Sequence, residues 1–177
     1  MINVTGHILP VRKICDMAHA RGVEVMVDGA HTFGQLNFKL EELDCDYFGT
    51  SLHKWLSVPI GAGMLYVKPN KVSQIWPLFA EGPRDENDLL RLNHPGTHPC
   101  ATDLAIADAV DYHLLLGPAR KEARLRYLQR YWTDQVRDLD HVILNTPADE
   151  QRSCAIANVG IKGISPKALA ARLFSDF

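Results

Sequence analysis

Apolar positions along this 177-residue chain follow two rhythms, helical spacing in some stretches and short continuous runs in others. In "LPVRKICDMAHARG", Val11, Ile14, Cys15 and Ala18 recur at three- and four-residue steps, Pro10 suits a first helical position and Gly22 the residue just past the end. That pattern predicts a helix. "VEVMV", residues 23–27, is a near-unbroken apolar run, as in a parallel strand that helices cover on both faces, and Asp28 falls at its C-terminal end. A short segment around "FKLEEL" leads to a second strand, "DYFGTS", and past a glycine-rich turn to a third, "GAGMLYVK".

Residues 80–100 are rich in Gly, Pro and charge and read as a long functional loop. A helix is expected from about Thr102 to Leu116, closed by Gly117. Pro118 then opens a charged helix to about Leu139 with an apolar stripe of Leu125, Leu128, Trp132, Val136 and Leu139. Two further strands, "HVILN" and "CAIANVGI", and a helix opening at Ser165-Pro166 begin a smaller α+β unit. The order predicts an α/β layered sheet over residues 1–116, then a linking helix and an incomplete second domain over 117–177. The last segment, "SPKALAARLFSDF", runs out on a helical apolar pattern with no capping signal, so the chain reads as a piece of a longer protein.

Composition narrows the partners. The 19 basic and 21 acidic side chains give a formal charge of -2, with no basic run or aromatic-interleaved basic patch, so nothing recommends nucleic acid or an anionic membrane. The longest apolar stretches fall far short of the roughly 20 residues a bilayer requires, and the expected location is the cytoplasm. Cys15, Cys45, Cys100 and Cys154 are widely spaced, which argues against a disulfide framework or zinc site and for buried, reduced thiols.

The candidate chemistry lies in "VDGAHTFGQLNFKLEELDCDYFGTSLHKW", residues 27–55. In open α/β sheets ligands collect beyond the carboxyl ends of the parallel strands, where Asp28 and the "TSLHK" turn would both lie. Taken singly, each residue has a plain explanation. Asp28 could cap the next helix or bind a structural arginine, and His31 or His53 could be structural hydrogen-bonding residues. Lys54 could be a surface lysine, although apolar surroundings such as Trp55 lower a lysine's pKa and a neutral amine can form a Schiff base.

Taken together they match one pattern. "VDGAHTFG", then "SLHKW" with Lys54 26 positions after Asp28, then "PIGAGMLYV", resembles the core of class V aminotransferases. These are fold-type I pyridoxal phosphate enzymes that include cysteine desulfurases, selenocysteine lyases and isopenicillin N epimerase-like proteins. The resemblance implies part of the large-domain mixed sheet of that fold over residues 1–116, and the start of the small C-terminal domain over 117–177. It implies pyridoxal 5'-phosphate as cofactor, held as a Schiff base by Lys54, with Asp28 on the pyridine nitrogen and His31 on the phenolic oxygen. Ser51 and His53 would be phosphate contacts, and Thr97, in "HPGTHP", would reach the phosphate bound by a partner subunit. A homodimer with shared sites and an amino acid or amine substrate follow from the same likeness.

Two other readings compete. One is a non-catalytic fragment or pseudoenzyme, because the family's upstream phosphate-binding turn, its ring-stacking residue and its C-terminal substrate-carboxylate arginine fall outside this sequence. The other, a dinucleotide-binding oxidoreductase, lacks a G-x-G-x-x-G opening a helix after the first strand.

Overall fold

The computed structural model describes residues 1–79, 84–93, 96–97 and 100–177. The fold is mixed α/β, and it divides into two compact units: one of Pro10–Gly34 with Phe38–Leu115, the other of Met1–Leu9, Gln35–Asn37 and Leu116–Phe177.

In the first unit, helix α1 (Val11–His19) follows Pro10, which sits at the N-cap rather than inside the first turn, and Gly22 adopts a positive φ of 68° just past the end. Strands β1 (Met26–Asp28), β2 (Tyr47–Ser51) and β3 (Gly63–Val67) form one sheet in that order, with β1 parallel and β3 antiparallel to β2. Helix α2 (Leu40–Leu43) lies between β1 and β2 in sequence, and α3 (Cys100–Leu116) follows β3.

Because side chains alternate along a strand, the sheet has two unlike faces. Val27, Phe48, Met64 and Tyr66 point into a cluster with Val11 and Cys15 of α1, Phe33, Phe38 and Cys45. The opposite face carries Met26, Asp28, Gly49, Ser51, Gly63 and Leu65, and there Met26 is 68% and Leu65 52% exposed. This corrects the expectation of a strand buried on both faces. The apolar run 23–27 supplies only two strand residues, and the second face is exposed at Met26 and Leu65 although Val67 at the end of β3 is buried.

Asp46 ties the start of β2 to its neighbours. Its Oδ2 accepts from the Val25 backbone N–H at 2.8 Å and sits 2.9 Å from His19 Nε2. Burial disfavours its ionised form, but the Val25 N–H and His19 outweigh that and hold the carboxyl below the usual range. A carboxyl depressed on folding contributes stability above its unfolded pKa of about 3.9 and loses that contribution as pH falls through the folded value. Urea midpoints measured from pH 6 down to pH 3 are therefore expected to fall more steeply for the native sequence than for Asp46→Asn.

In the second unit, α4 (Pro118–Val136) precedes an antiparallel pair, β4 (Val142–Leu144) with β5 (Val159–Ile161), and α5 (Pro166–Asp176) opens with Ser165 accepting from the Ala168 N–H. The stripe predicted for α4 is its buried face only in part, with Leu125 and Val136 half-buried. Leu128, Trp132 and Leu139 are exposed, whereas Gln129 and Thr133 are buried. Polar side chains stitch this interior to the backbone: Gln35 accepts from the Ala155 N–H, Thr146 donates to the Thr5 carbonyl, and Arg126 donates to the Glu150 and Ser153 carbonyls.

All four cysteines are free thiols, but only three are buried. Burial pushes Cys154 up to about 11 and raises Cys15 and Cys45 as well. Cys100 is exposed at the start of α3, against the expectation for it. A thiol reagent applied to the native protein is expected to label Cys100 and to reach the other three only on unfolding, as peptide mapping would show.

Candidate active site

The site is built at the C-terminal ends of parallel β1 and β2. Asp28 closes β1, and the chain turns at once because Gly29 passes against the Phe48 ring: a Cβ there would lie 1.9 Å from Phe48 Cζ. Gly29 donates its N–H to the Gly49 carbonyl at 2.7 Å, and its own carbonyl accepts from the N–H groups of Thr32 and Phe33. The Ala30 N–H donates to Asp28 Oδ1 at 2.9 Å, which orients the carboxylate. Asp28 thus does cap the following turn, as its plainest reading had it, while its side chain remains exposed.

Lys54 is held by what lies on either side of it. Leu52 and Leu56, each 5% exposed, anchor the turn after β2 into a cluster with Val58, Ala62 and Ala109. The Leu52 N–H bonds the Ala62 carbonyl and the Val58 N–H bonds the Leu52 carbonyl, closing the loop. Gly34, at φ 75°, lets the two turns meet, since a Cβ there would sit 2.8 Å from the Leu56 nitrogen. Lys54 points out of this frame and is exposed, not wrapped by apolar side chains as its place beside Trp55 suggested.

Its Nζ lies 3.2 Å from His31 Nε2, and the Trp55 indole N–H donates to His31 Nδ1 at 3.4 Å. Burial and the Lys54 charge lower the His31 pKa, with Asp28 opposing them. Asp28, Ser51 and Lys54 share the lining of a cleft of about 730 Å³ on the open sheet face. Gly49 and Gly63 form a bed without side chains there, and Met26 and Leu65 add apolar wall.

Four predicted residues therefore gather: Asp28, Ser51 and Lys54 in the cleft, with His31 bonded to Lys54. His53 and Thr97 are not part of the cleft lining. His53 Nδ1 is buried without a hydrogen-bond partner. Thr97 is exposed, and His94, Pro95, His98 and Pro99 of its motif, like Ala80–Pro83 of the predicted loop, lie outside the described residues. Sequence reasoning missed Trp55 as a donor and the glycine bed; strand alternation could have found the second, since Gly49, Ser51, Gly63 and Leu65 keep one parity across the β2–β3 register.

The sequence model of the family described as Aminotransferase class-V matches residues 1–175. The chain belongs to that family. It is 35% identical over 155 residues to isopenicillin N epimerase of Streptomyces clavuligerus, covering 78% of this chain and 38% of that one. To cysteine desulfurase of Haloferax volcanii it is 30% identical over 159 residues, covering 85% and 37%. The fold matches a solved structure of a C-DES lysine mutant with glycine covalently linked to the PLP cofactor, at a TM-score of 0.83 and 19% identity over 98% of this chain and 49% of that one. The chain thus spans about two-fifths of the length of the curated relatives it matches. Among the described residues no helix is long and apolar enough to cross a membrane.

A class V chain implies pyridoxal phosphate, and the residues present fit it. The cleft offers a primary amine for an aldehyde, a carboxylate for a ring nitrogen and a hydroxyl for an anion, on a bed that glycines leave clear. The buried, unpartnered His53 Nδ1 is the kind of group that a phosphate oxygen would satisfy, removing a penalty of about 1–3 kcal/mol.

Proposed function

We propose that this sequence carries the cofactor-anchoring part of a pyridoxal-phosphate-dependent enzyme acting on an amino acid or amine. The observation that carries the reading is one cleft with Lys54 and Asp28 in its wall and His31 3.2 Å from the Lys54 amine. On this reading residues 1–116 belong to the large cofactor-binding domain and 117–177 to the linking helix and small domain.

Bound pyridoxal phosphate supplies a covalent carbonyl and an electron sink for charge developing at the substrate's α-carbon. Lys54 would hold the group covalently, and its amine would move a proton at that carbon. Asp28, fixed by the Ala30 N–H, keeps a proton on the ring nitrogen, which makes the ring a better sink. His31 donates toward the phenolic oxygen, Ser51 and His53 hold the phosphate, and exposed Thr97 serves the phosphate of a partner subunit.

A second copy as partner rests on the likeness to class V enzymes. The relatives named above cover epimerase and desulfurase chemistry, and proton transfer by Lys54 at the α-carbon serves both.

Titrating the protein with pyridoxal phosphate tests the proposal. An absorbance band at the visible edge that disappears on borohydride treatment is expected for the native sequence and not for Lys54→Ala. The same band in both proteins, or in neither, would overturn it.

A further inference from the structure

We infer that Thr50 is a positioning residue, whose hydroxyl clamps the turn carrying Asp28 and His31 onto the strand that leads to Ser51 and Lys54. Alternation along β2 sets Thr50 on the face opposite Gly49 and Ser51, and the residue is only 9% exposed. A β-branched side chain suits that place, but valine would suit it as well. The hydroxyl is what needs a reason, since burying one without a partner is costly.

Its partner is the Gly29 carbonyl, to which Thr50 Oγ1 donates at 3.3 Å. The turn after β1 closes on the same oxygen: the N–H groups of Thr32 and Phe33 reach it at 2.9 and 3.0 Å, and the Thr32 hydroxyl at 3.0 Å. Those three donors belong to the turn itself. Thr50, 21 positions further along the chain, reaches it from β2. The Gly29 N–H is bonded to the Gly49 carbonyl at 2.7 Å, so both polar groups of the Gly29 backbone are tied to β2.

Gly29 stands between the two site residues of its turn, directly after Asp28 and two positions before His31. Thr50 directly precedes Ser51 and stands four positions before Lys54. A bond from Thr50 to Gly29 therefore fixes how far the Asp28–His31 turn stands from the Ser51–Lys54 segment. Its meaning for cofactor retention rests on the proposed function, but the clamp itself exists without cofactor.

Removing the hydroxyl leaves no carbonyl unpaired, because Gly29 keeps its bonds from Thr32 and Phe33. Thr50→Val differs from the native protein in the hydroxyl and not in side-chain shape, and Thr50→Ala differs from Thr50→Ser in the hydroxyl alone, so its effect can be read twice. In each pair its loss should weaken pyridoxal phosphate binding, followed by absorbance titration, by roughly twofold to tenfold, the range for one neutral hydrogen bond. Thr50→Ser should restore most of what Thr50→Ala loses. Without cofactor, hydrogen-exchange mass spectrometry of the same proteins should show faster amide exchange over residues 29–33 wherever the hydroxyl is missing.

A folded Thr50→Val that binds the cofactor as tightly as the native protein would overturn the inference, whatever its melting temperature. If valine does not fold, Thr50→Ala matching Thr50→Ser would overturn it. If exchange over residues 29–33 follows the hydroxyl but the native sequence forms no borohydride-stable adduct at Lys54, the proposed function fails and the Thr50–Gly29 clamp stands. If the adduct forms and binding ignores the hydroxyl, only the inference falls.

Discussion

Lys54→Ala is expected to abolish borohydride-stable capture of pyridoxal phosphate and to cut amino-acid turnover by the protein carrying this site at least about 10²–10⁴-fold, the range for losing a positioned proton-transfer group. The fold should not notice. Lys54 is exposed, and its turn is held by Leu52, Leu56 and the backbone bonds to Ala62 and Val58, none of which involves the amine. Unfolding free energy should therefore stay within about 0.5 kcal/mol of the native value. Lys54→Arg makes the complementary test, because it keeps a positive charge in the cleft but cannot serve as a nucleophile under these conditions. If Lys54 only steers anions, arginine restores function; if it anchors the cofactor, arginine is as inactive as alanine. Absorbance after gel filtration, turnover and a thermal melt on the three proteins read all of this out.

The second large effect is on stability and links the core to the site. Phe48 is 0% exposed and lies between Phe33 and Phe38, with ring centroids 6.3 and 6.0 Å away. Phe48→Ala should cost about 3–5 kcal/mol, as other buried aromatic truncations do. Gly29→Ala should cost about 1–3 kcal/mol or more by overpacking, since its Cβ would overlap the Phe48 ring and the two neighbouring rings keep that ring from swinging aside.

The two changes are not independent. With the ring gone the Gly29 methyl has room, so the double variant should be more stable than the sum of the single losses implies, by about 0.5–3 kcal/mol in a double-mutant cycle. Additivity would mean that Gly29 and Phe48 do not meet. Because Gly29 directly follows Asp28, either single change should also weaken the retention of pyridoxal phosphate.

Local rules carried much of the fold into the sequence. Pro10 and Gly22 bracket α1, Ser165-Pro166 opens α5, and the runs "DYFGTS" and "GAGMLYVK" became β2 and β3. What local rules could not supply was which faces would be covered. Residues 23–27 look buried on both sides, yet Met26 faces the open cleft, because burial depends on a neighbouring layer and not on the strand itself. The same reason shifts the buried face of α4: Gln129 and Thr133 are buried beside half-buried Leu125 and Val136, while Leu128 and Trp132 are exposed.

At the site, Asp28, His31, Ser51 and Lys54 were visible because "VDGAHTFG" and "SLHKW" resemble the class V pattern; residue type and spacing alone left each of them a plain structural role. Their common cleft follows from two parallel strands ending side by side, Asp28 opposite Gly49 with Ser51 two residues on. Trp55 stayed hidden since a tryptophan beside buried leucines reads as core, and only geometry shows its N–H aimed at His31.

The atom that would hold the cofactor is the Lys54 Nζ. Borohydride reduction of the native protein loaded with pyridoxal phosphate, followed by tryptic digestion and tandem mass spectrometry, locates it. The reduced pyridoxyl group is expected on Lys54, in a peptide that runs uncleaved through Lys54 to Trp55; complete tryptic cleavage between Lys54 and Trp55, or the label on another lysine, would contradict it.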